Sequence, residues 1–597
     1  MKTSHPLPIF RGTVLLSLLL VSTHAALSRL SAAAESTGPS PVTPALTAPF
    51  AYGVASGDMS HESAILWTRT PGLTTVVPEL SLTPTFDNPQ TLPAVTTSEA
   101  SDFTVKVLAT GLEPGTKYFF RFKAGRDVSS VGSFKTAYAP DQDTAVAMAF
   151  TGDADWKWKP YPLLVALAKE PLDFFLFLGD LIYETTDLTS TTAVEDLDGY
   201  RFKYRENREP RANSVSQMVP MRDLYAAFGQ YSVFDNHETG LSKADTNAPP
   251  YTEGGAQVLG QFVNQTAGFQ ARIQAYKEYQ PIRDERHTGI GDPRTDQTSK
   301  FYRAIPWGAN VELIILDDRS YRDVRLPNSD DPAASSCLRT MLGPVQGQWF
   351  EAALLAAQQR HIVWKVVVIS SPIQELGRAS HIGSDLNGTK SWAGAYRCER
   401  NKLLKFIDDH AIDNVVFLTT DNHYTIINNL HYNTVPDDPH SPQKAARNAF
   451  EILTGPLGAG AGNPPGLQVE TKGLSRREAD RKILAVWNGD SPNTDGKQRG
   501  LKQAGLDPIG LEADFPGLDA ASIHSVDGQS DAVEPMDFAS FNTYSYAVLT
   551  FDRSSLHIQV KSIPIVPDPF TLLNADTERE YENRWVEETL SFTVKAQ

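Results

Sequence analysis

Six short apolar runs, rich in β-branched and aromatic residues, recur between residues 145 and 423 of the chain. They cover residues 145–155, 173–180, 230–238, 311–318, 364–371 and 414–423. Several of the stretches between them have helical character, such as "YPLLVALAKE" and "QGQWFEAALLAAQQR". Buried runs that alternate with helices are typical of a sheet covered on both faces. We therefore predict an α/β fold for this part of the chain.

Four of these runs end in side chains that bind metals. The clusters are Asp153 with Asp155, Asp180 with Tyr183, Asn236 with His237, and Asp421 with His423. Because ligands of open α/β sheets bind at the carboxyl ends of the strands, we expect the clusters to meet at one edge of the sheet. Oxygen and imidazole ligands suit hard or borderline cations. A lone Asp at a strand end is usually a turn former, but four such ends favour two cations that share a carboxylate.

The residues before the first run have a different composition. Lys2 and Arg11, the apolar run "TVLLSLLLV" and the small residues after it predict a cleavable signal peptide over residues 1–34. A signal anchor is the alternative, although the run is short for a membrane span. A linker rich in Pro, Ser and Thr follows over residues 35–48. Alternating short runs over residues 49–140 predict a small all-β domain, a sandwich of immunoglobulin or fibronectin type.

The main domain is predicted to extend from residue 141 to residue 575. Residues 436–536 are rich in Gly, Pro, Asp and Asn and are predicted to form an irregular insertion, and residues 576–597 a tail with a short helix. The chain has two cysteines, Cys337 and Cys398. In an exported protein they can form a disulfide, and two free buried thiols are the alternative.

The overall charge argues against one class of partner. The chain has 54 basic and 71 acidic residues, a net charge of −17. This balance disfavours nonspecific binding to nucleic acid or to anionic membranes. It is compatible with a small phosphorylated substrate, because a metal can supply positive charge locally. After the N-terminal run, no stretch is long and apolar enough to predict a transmembrane segment.

The chain resembles the PhoD-like (alkaline phosphatase D) group of metallophosphoesterases. The motifs that carry the resemblance are "FAYGVASGDMSHESAILWTRT", "FLGDLIYE", "FDNHE", "LDDRSYRD", "RTMLGPVQGQWF", "SWAGAYRCER" and "LTTDNH". The resemblance implies a layered β-sandwich flanked by helices, preceded by an all-β domain. It also implies a secreted or periplasmic hydrolase of phosphate esters, an alkaline phosphatase or phosphodiesterase, that uses a hydroxide bound to a binuclear metal centre.

The resemblance also implies roles for the middle motifs. Asp180 matches the acid that bridges both metals, and Tyr183 matches a tyrosine that ligates a ferric ion in this group and in purple acid phosphatases. Asn236 matches a ligand of the second metal. His237 matches the histidine beside the phosphate and the leaving group, and is the expected catalytic residue. The implied cofactors are a ferric ion and a divalent cation, Ca²⁺, Mn²⁺ or Zn²⁺.

The first and last motifs depart from the pattern of the group. The resemblance places His423 on the iron side and Asp421 on the other side. Asp153 stands where a cysteine is usual, and "TGDAD" is similar to the first motif of purple acid phosphatases. As a harder donor, Asp153 favours a ferric ion or another hard cation. Asp155 matches a second acid and is expected to be a ligand or to lie next to the ligands, whereas Thr420 replaces a usual glycine and adds bulk.

Two alternatives to a general phosphoesterase stay open. One is a phospholipase-D-like diesterase that acts on lipid or cell-wall phosphodiesters. The other is a noncatalytic secreted protein that binds phosphate or metal, which the near-complete ligand set disfavours. Within the enzyme hypothesis, we expect Glu238 or Asp235 to orient the imidazole of His237.

Overall fold

The structure is a computed structural model, and it describes most of the chain after residue 48. The described residues are 49–212, 214–240, 252–327, 331–373, 391–460, 511, 514–525, 539–566 and 568–597. The predicted signal peptide and linker lie outside them.

The described residues form strands and helices with the following bounds. The strands are β1 (Val54–Gly57), β2 (Ser63–Arg69), β3 (Thr75–Ser81), β4 (Gln90–Thr91), β5 (Val95–Thr96), β6 (Thr104–Thr110), β7 (Lys117–Ala124), β8 (Asp127–Val128), β9 (Gly132–Lys135), β10 (Val146–Thr151), β11 (Phe174–Leu178), β12 (Gly229–Val233), β13 (Gln257–Val258), β14 (Gln261–Phe262), β15 (Glu285–Arg286), β16 (Ser299–Lys300), β17 (Arg303–Trp307), β18 (Val311–Ile315), β19 (Trp364–Val368), β20 (Val415–Thr419), β21 (Thr425–Asn433), β22 (Gln443–Leu453), β23 (Leu518–Ser525), β24 (Ala539–Ser540), β25 (Thr543–Phe551), β26 (Ser555–Pro564) and β27 (Glu587–Lys595). The α-helices are α1 (Leu163–Leu167), α2 (Leu197–Glu206), α3 (Pro220–Ala227), α4 (Asn236–Thr239), α5 (Ala267–Tyr279), α6 (Gly343–Gln359), α7 (Trp392–Ala395), α8 (Arg397–Asp409) and α9 (Ala575–Glu582). Short 3₁₀ helices cover Glu99–Ser101, Trp156–Trp158, Val263–Gln265, Pro332–Ser335 and Pro569–Leu573.

The first large sheet has its parallel strands at its centre. Its order is β23-β27-β26-β25-β10-β11-β12-β1-β2-β6 within the described ranges. Strands β10, β11, β12 and β1 run parallel to one another, with Met148 opposite Phe174 and Phe175 opposite Gln230. Strands β25, β26 and β27 add antiparallel partners on one side. The carboxyl ends of β10, β11 and β12 therefore lie side by side.

The second large sheet carries the remaining predicted strands. Its order in the described part of the chain is β17-β18-β19-β20-β22-β21-β24. Strands β18, β19, β20 and β22 run parallel to one another. Their carboxyl ends thus form a second row. In this row, β20 ends at Thr419, within the last motif.

The two sheets pack face to face between layers of helices. Met148 and Phe150 of β10 share one apolar core with Val366 and Val368 of β19. The alternate side chains point the other way: Ala149 joins a core that contains residues of α1, α2, α3 and α5. The outer face of the second sheet packs against α6 and α8 in a third core. This period of two is expected where both faces of a strand are buried.

All six predicted strands are present, as β10, β11, β12, β18, β19 and β20. The expectation that the four ligand clusters meet at one edge of one sheet is wrong, because β20, which precedes the last cluster, belongs to the second sheet. A short apolar run has the same appearance in either sheet, since its pattern records burial and not the identity of the partner strand. The α/β character and the layered β-sandwich are confirmed.

The N-terminal region is all-β and is joined to the first sheet. Strands β1, β2 and β6 extend that sheet, with Ser56 opposite Gly229 of β12. Strands β3, β4, β5, β7, β8 and β9 form a separate six-stranded sheet. Val54 and Phe120 lie in the same apolar core as the strands of the main domain. The predicted boundary near residue 140 stays a prediction.

Two C-terminal expectations need correction. The region predicted to be irregular, residues 436–536, contains the eleven-residue strand β22 and the strand β23. The predicted tail contains α9 and then β27, which pairs with β26 along its length. Strand β22 begins with a half-exposed polar stretch, and β27 follows a charged helix. Local composition therefore concealed strands that form because a partner edge is available.

Two further features concern the predicted export. Cys337 and Cys398 form a disulfide, with Cα atoms 5.1 Å apart, that ties the segment before α6 to the first turn of α8. In the part of the chain that the structure describes, no helix combines the length and apolarity that a bilayer span requires.

Candidate metal centre

The predicted ligands lie in tight turns directly after strands. Asp153 follows β10, Asp180 follows β11, and both Asp421 and His423 follow β20. Their φ angles are 60°, 50°, 69° and 58°, in the left-handed region that non-glycine residues rarely occupy. Such conformations persist where the surrounding structure enforces them, commonly at functional sites. The turns bring side chains from two sheets close together.

The acidic side chains and one histidine form two overlapping groups. In the first group, Asp153, Asp180 and His423 offer ligand atoms that all lie within 4.8 Å of one another. In the second group, Asp180, Asp235 and Asp421 meet the same limit. Asp180 belongs to both groups, which is the geometry required of a carboxylate shared by two cations.

The donor atoms fit cations. Neither carboxylate oxygen of buried Asp153 has a hydrogen-bond partner in the described residues, and the same is true of Asp235 Oδ2 and Asn236 Oδ1. Burial raises the pKa of Asp235; Arg319 opposes this effect, while Asp421 and Asp180 add to it. Buried carboxylates without partners are costly, and a positive ion would offset that cost. Asn236 therefore remains a candidate ligand. Asp235, which was not predicted as a ligand from the sequence, is a second candidate beside it.

Tyr183 and His423 touch each other at the first group. The Tyr183 hydroxyl lies 2.9 Å from His423 Nε2, and this nitrogen lies 3.4 Å from Asp153 Oδ1. Burial raises the pKa of the Tyr183 phenol well above its ordinary value, and Asp180 and Asp153 add to the effect. Burial works to lower the pKa of His423, but the nearby Asp153 carboxylate outweighs it and the pKa is raised. Both side chains are placed to bind a cation beside Asp153.

Glu184, which the sequence analysis did not select, holds the imidazole of His237. The Glu184 carboxylate contacts His237 Nδ1, and the His237 ring stacks on Tyr183 with centroids 3.8 Å apart. His237 Nε2 lies 4.0 Å from Asp180 Oδ2. The expectation that Glu238 or Asp235 orients this ring is wrong. The one feature of the sequence that could have pointed to Glu184 is its position directly after Tyr183 in "FLGDLIYE".

Glu238 instead fixes the turns that carry the ligands. Its carboxylate accepts backbone N–H groups of Asp180, at 3.0 Å, and of Asp235, at 2.7 Å. Burial raises the pKa of Glu238 to about 8, and the negative charge of Asp180 adds to this shift, although these hydrogen bonds oppose it. In the other direction, the His237 backbone N–H donates to Asp180 Oδ1 at 3.0 Å. The turns after β11 and β12 thus hold each other.

Asp155 is placed beside the centre and not in it. Its Oδ1 accepts the backbone N–H of Lys157 at 3.1 Å, and its Oδ2 lies 3.2 Å from Lys157 Nζ. Burial raises the pKa of Asp155, while Lys157 opposes the shift. Asp155 therefore caps the 3₁₀ turn at Trp156–Trp158 and neutralises a buried lysine. The geometry does not support its prediction as a ligand.

Thr420 and the glycine-rich segment after β22 pack behind the ligands. The Thr420 hydroxyl donates to the Leu178 carbonyl at 2.6 Å, and the side chain fills the space above Gly152. Its bulk thus occupies the contact between the two sheets. Gly458 N–H donates to the Asp153 carbonyl at 3.1 Å, and His423 Nδ1 lies 2.8 Å from the Gly460 carbonyl. The sequence showed this segment only as a run of glycines.

Comparisons with known proteins agree with this geometry. The family model of the PhoD-like phosphatases matches residues 148–515, and that of their N-terminal domain matches residues 34–138. Alkaline phosphatase D of Bacillus subtilis (strain 168) is 29% identical over 419 residues, which cover 64% of this chain and 66% of that protein. A solved structure of PhoD superposes with a TM-score of 0.62 at 22% identity, over 93% of this chain and 92% of the other, and supports the fold.

A purple acid phosphatase from yellow lupin seeds is more distant. It superposes with a TM-score of 0.48 at 12% identity, over 91% of this chain and 74% of its own, and no conclusion about the site is drawn from it. The first family model covers more than half of the chain. The motifs, the layered fold and this match lead to one conclusion: the chain belongs to the PhoD-like phosphatase family.

Proposed function

We propose that the protein is a phosphoesterase that hydrolyses phosphate esters at a binuclear metal centre. The observation that carries the proposal is the membership of Asp180 in both candidate groups, each made of donors from two different sheets. Asp153 and His423, with Tyr183, would hold one cation. Asp421, with Asn236 or Asp235, would hold the other. Bound cations would supply Lewis acidity to water and to the phosphoryl group.

His237 is proposed as the group that assists departure of the alcohol. Glu184 holds Nδ1, so the ring presents Nε2 toward the side of the centre where Asp180 lies. A carboxylate on one ring nitrogen stabilises the imidazolium form, which can donate a proton from the other nitrogen. The protonated ring would hydrogen-bond the leaving oxygen and then give it the proton.

The identity of the metals is proposed from the chemistry of the donors. The first group has two carboxylates, an imidazole and a phenol, and it has no thiolate. Hard donors of this kind favour a ferric ion. The second group consists of carboxylates, which suit Ca²⁺, Mn²⁺ or Zn²⁺. We propose one ferric ion and one divalent cation.

Export is proposed on two observations. Residues 1–34 have the charge and apolar pattern of a signal peptide. The disulfide between Cys337 and Cys398 is typical of oxidising compartments. We therefore propose a secreted or periplasmic enzyme, and N-terminal sequencing of the protein recovered from its host would test for cleavage of this segment.

The central test combines metal analysis with two substrates. Metal content of the purified protein is measured by mass spectrometry, and turnover of p-nitrophenyl phosphate and bis-p-nitrophenyl phosphate is measured before and after chelation. We expect about two metals per chain and activity that is lost and restored with them. The ratio of the two turnover rates then separates a monoesterase from a diesterase. Absence of both metal and turnover would instead favour a binding protein.

A further inference from the structure

Arg319 is a buried arginine that touches a carboxylate of the second group. It follows β18 in the motif "LDDRSYRD". Its guanidinium donates through Nε and Nη2 to Asp235 Oδ1, and both side chains are 0% exposed. Asp235 Oδ2 has no hydrogen-bond partner in the described residues. Because a buried charge is costly without a partner, each of the two side chains depends on the other.

Arg319 is itself held firmly from the second sheet. Its backbone N–H donates to Asp317 Oδ1 at 3.0 Å, and its carbonyl accepts the N–H of Gly254 at 2.9 Å. Nη2 also lies 3.3 Å from Ser371 Oγ, after β19. Asp235 comes from the turn after β12 in the first sheet. The pair therefore connects the two sheets at the centre and leaves one oxygen of Asp235 available to a cation.

The charges of the second group explain what the arginine adds. Asp180, Asp235 and Asp421 together carry −3 when ionised, and Arg319 brings the sum for the four side chains to −2. A divalent cation matches that sum. In the first group, the described contact of Asp153 is with a histidine and not with an arginine. The two groups thus differ in the fixed positive charge that touches them.

We propose that Arg319 is a positioning residue that orients Asp235 and sets the second group to prefer a divalent over a trivalent cation. This inference rests on the proposed function, because it presumes that cations bind at the two groups. It concerns a residue that would act through Asp235.

The test compares two ions of similar size and different charge. The metal-free full-length protein is titrated with Ca²⁺ and with Tb³⁺, and binding is followed by Tb³⁺ luminescence and Ca²⁺ competition. Arg319→Gln should raise the ratio of Tb³⁺ to Ca²⁺ affinity by roughly 100-fold, the effect of one charge at about 6 Å with an effective dielectric constant of about 20. A purely structural defect would weaken both ions alike.

Charge-matched variants locate the effect. The double variant Asp235→Asn with Arg319→Gln has the same summed charge as the wild type and should return the ratio to within about threefold of it. Arg319→Lys keeps the charge but loses the contact of two guanidinium nitrogens with Asp235. The ratio of Tb³⁺ to Ca²⁺ affinity should therefore stay unchanged, while Ca²⁺ affinity itself falls about 10- to 100-fold. Arg69→Gln is the control: Arg69, in β2, is also buried and its Nη2 lies 2.7 Å from Asp102 Oδ1. It should leave the ratio unchanged.

The outcomes separate this inference from the proposed function. Binding of neither ion by the wild type would overturn both. Normal binding by the wild type with an unchanged ratio in Arg319→Gln would overturn the inference alone. If Arg319→Gln fails to fold, as judged by circular dichroism, the double variant and Arg319→Lys still decide. A shifted ratio in either of those two would contradict the charge argument.

Discussion

Two histidines from separate motifs face the same centre and are held by different partners. His423 Nδ1 lies 2.8 Å from the Gly460 carbonyl, whereas His237 Nδ1 contacts the Glu184 carboxylate. A carbonyl can only accept, so a neutral His423 carries its proton on Nδ1 and keeps a lone pair on Nε2 for a cation. A carboxylate favours the charged imidazolium of His237, which can donate. The partner of the second nitrogen thus assigns different chemistry to the same residue type.

Removing His423 should have the largest effect. His423→Ala deletes a donor of the first group, so metal content should fall from about two to about one per chain. Turnover should fall by roughly 10⁴-fold or more, because one of the two proposed cations is lost. Mass spectrometry and p-nitrophenyl phosphate turnover measure both. His557→Ala, in β26, is the control that should change neither. Full metal content in His423→Ala would remove His423 from the ligands.

Removing His237 should separate activity from metal content. His237→Ala should lower turnover by roughly 10²- to 10⁴-fold, the usual contribution of a general acid, with about two metals retained. The loss should be smaller for p-nitrophenyl esters than for phenyl esters, because p-nitrophenolate needs less protonation to leave. Equal losses for both esters would argue against the proposed proton transfer, and loss of metal would make His237 a ligand.

Weakening the partner of His237 should produce a smaller change. Glu184→Gln keeps the shape but removes the charge that favours the imidazolium, so turnover should fall about 10- to 100-fold with metal content unchanged. The dependence on the leaving group should follow that of His237→Ala. The double variant Glu184→Gln with His237→Ala should be no slower than His237→Ala alone. Additive losses would show that Glu184 acts separately from the histidine.

Asp155 should matter least, because it serves neither histidine. Asp155→Asn should retain about two metals and lower the free energy of unfolding by about 1–3 kcal/mol, since buried Lys157 loses its charged partner. Chemical denaturation and metal analysis would measure this. Asp153→Asn is the matched variant and should lose metal. Loss of metal in both variants would restore Asp155 as a ligand.

Much of this arrangement could be predicted from the sequence because it is local. The runs that became β10 and β11 are apolar on both faces, and each is followed at once by a polar turn. A motif such as "FLGDLIYE" contains the end of the strand, the turn and the acid in eight consecutive residues. The presence of the strands and the chemistry at their ends followed directly. The last strand, β27, could not be predicted, because it forms by pairing with β26 and its own composition does not indicate a strand.

The partners of the site residues could not be predicted in this way. Glu184 and His237 are 53 residues apart, and Arg319 and Asp235 are 84 residues apart. Gly460 lies 37 residues after His423. Any of several acids could have faced the imidazole of His237, and the sequence favoured two that instead hold backbone N–H groups or an arginine.

The sequence by itself determined the layered α/β class, the residue types of the centre and membership in a phosphatase family, since these depend on short patterns of burial and chemistry. Only the tertiary structure decided that the candidate ligands come from two sheets and which group holds each histidine. These depend on distances between segments far apart in the chain. The same residue type is therefore suited to bind a metal or to donate a proton according to the neighbour that folding places behind it.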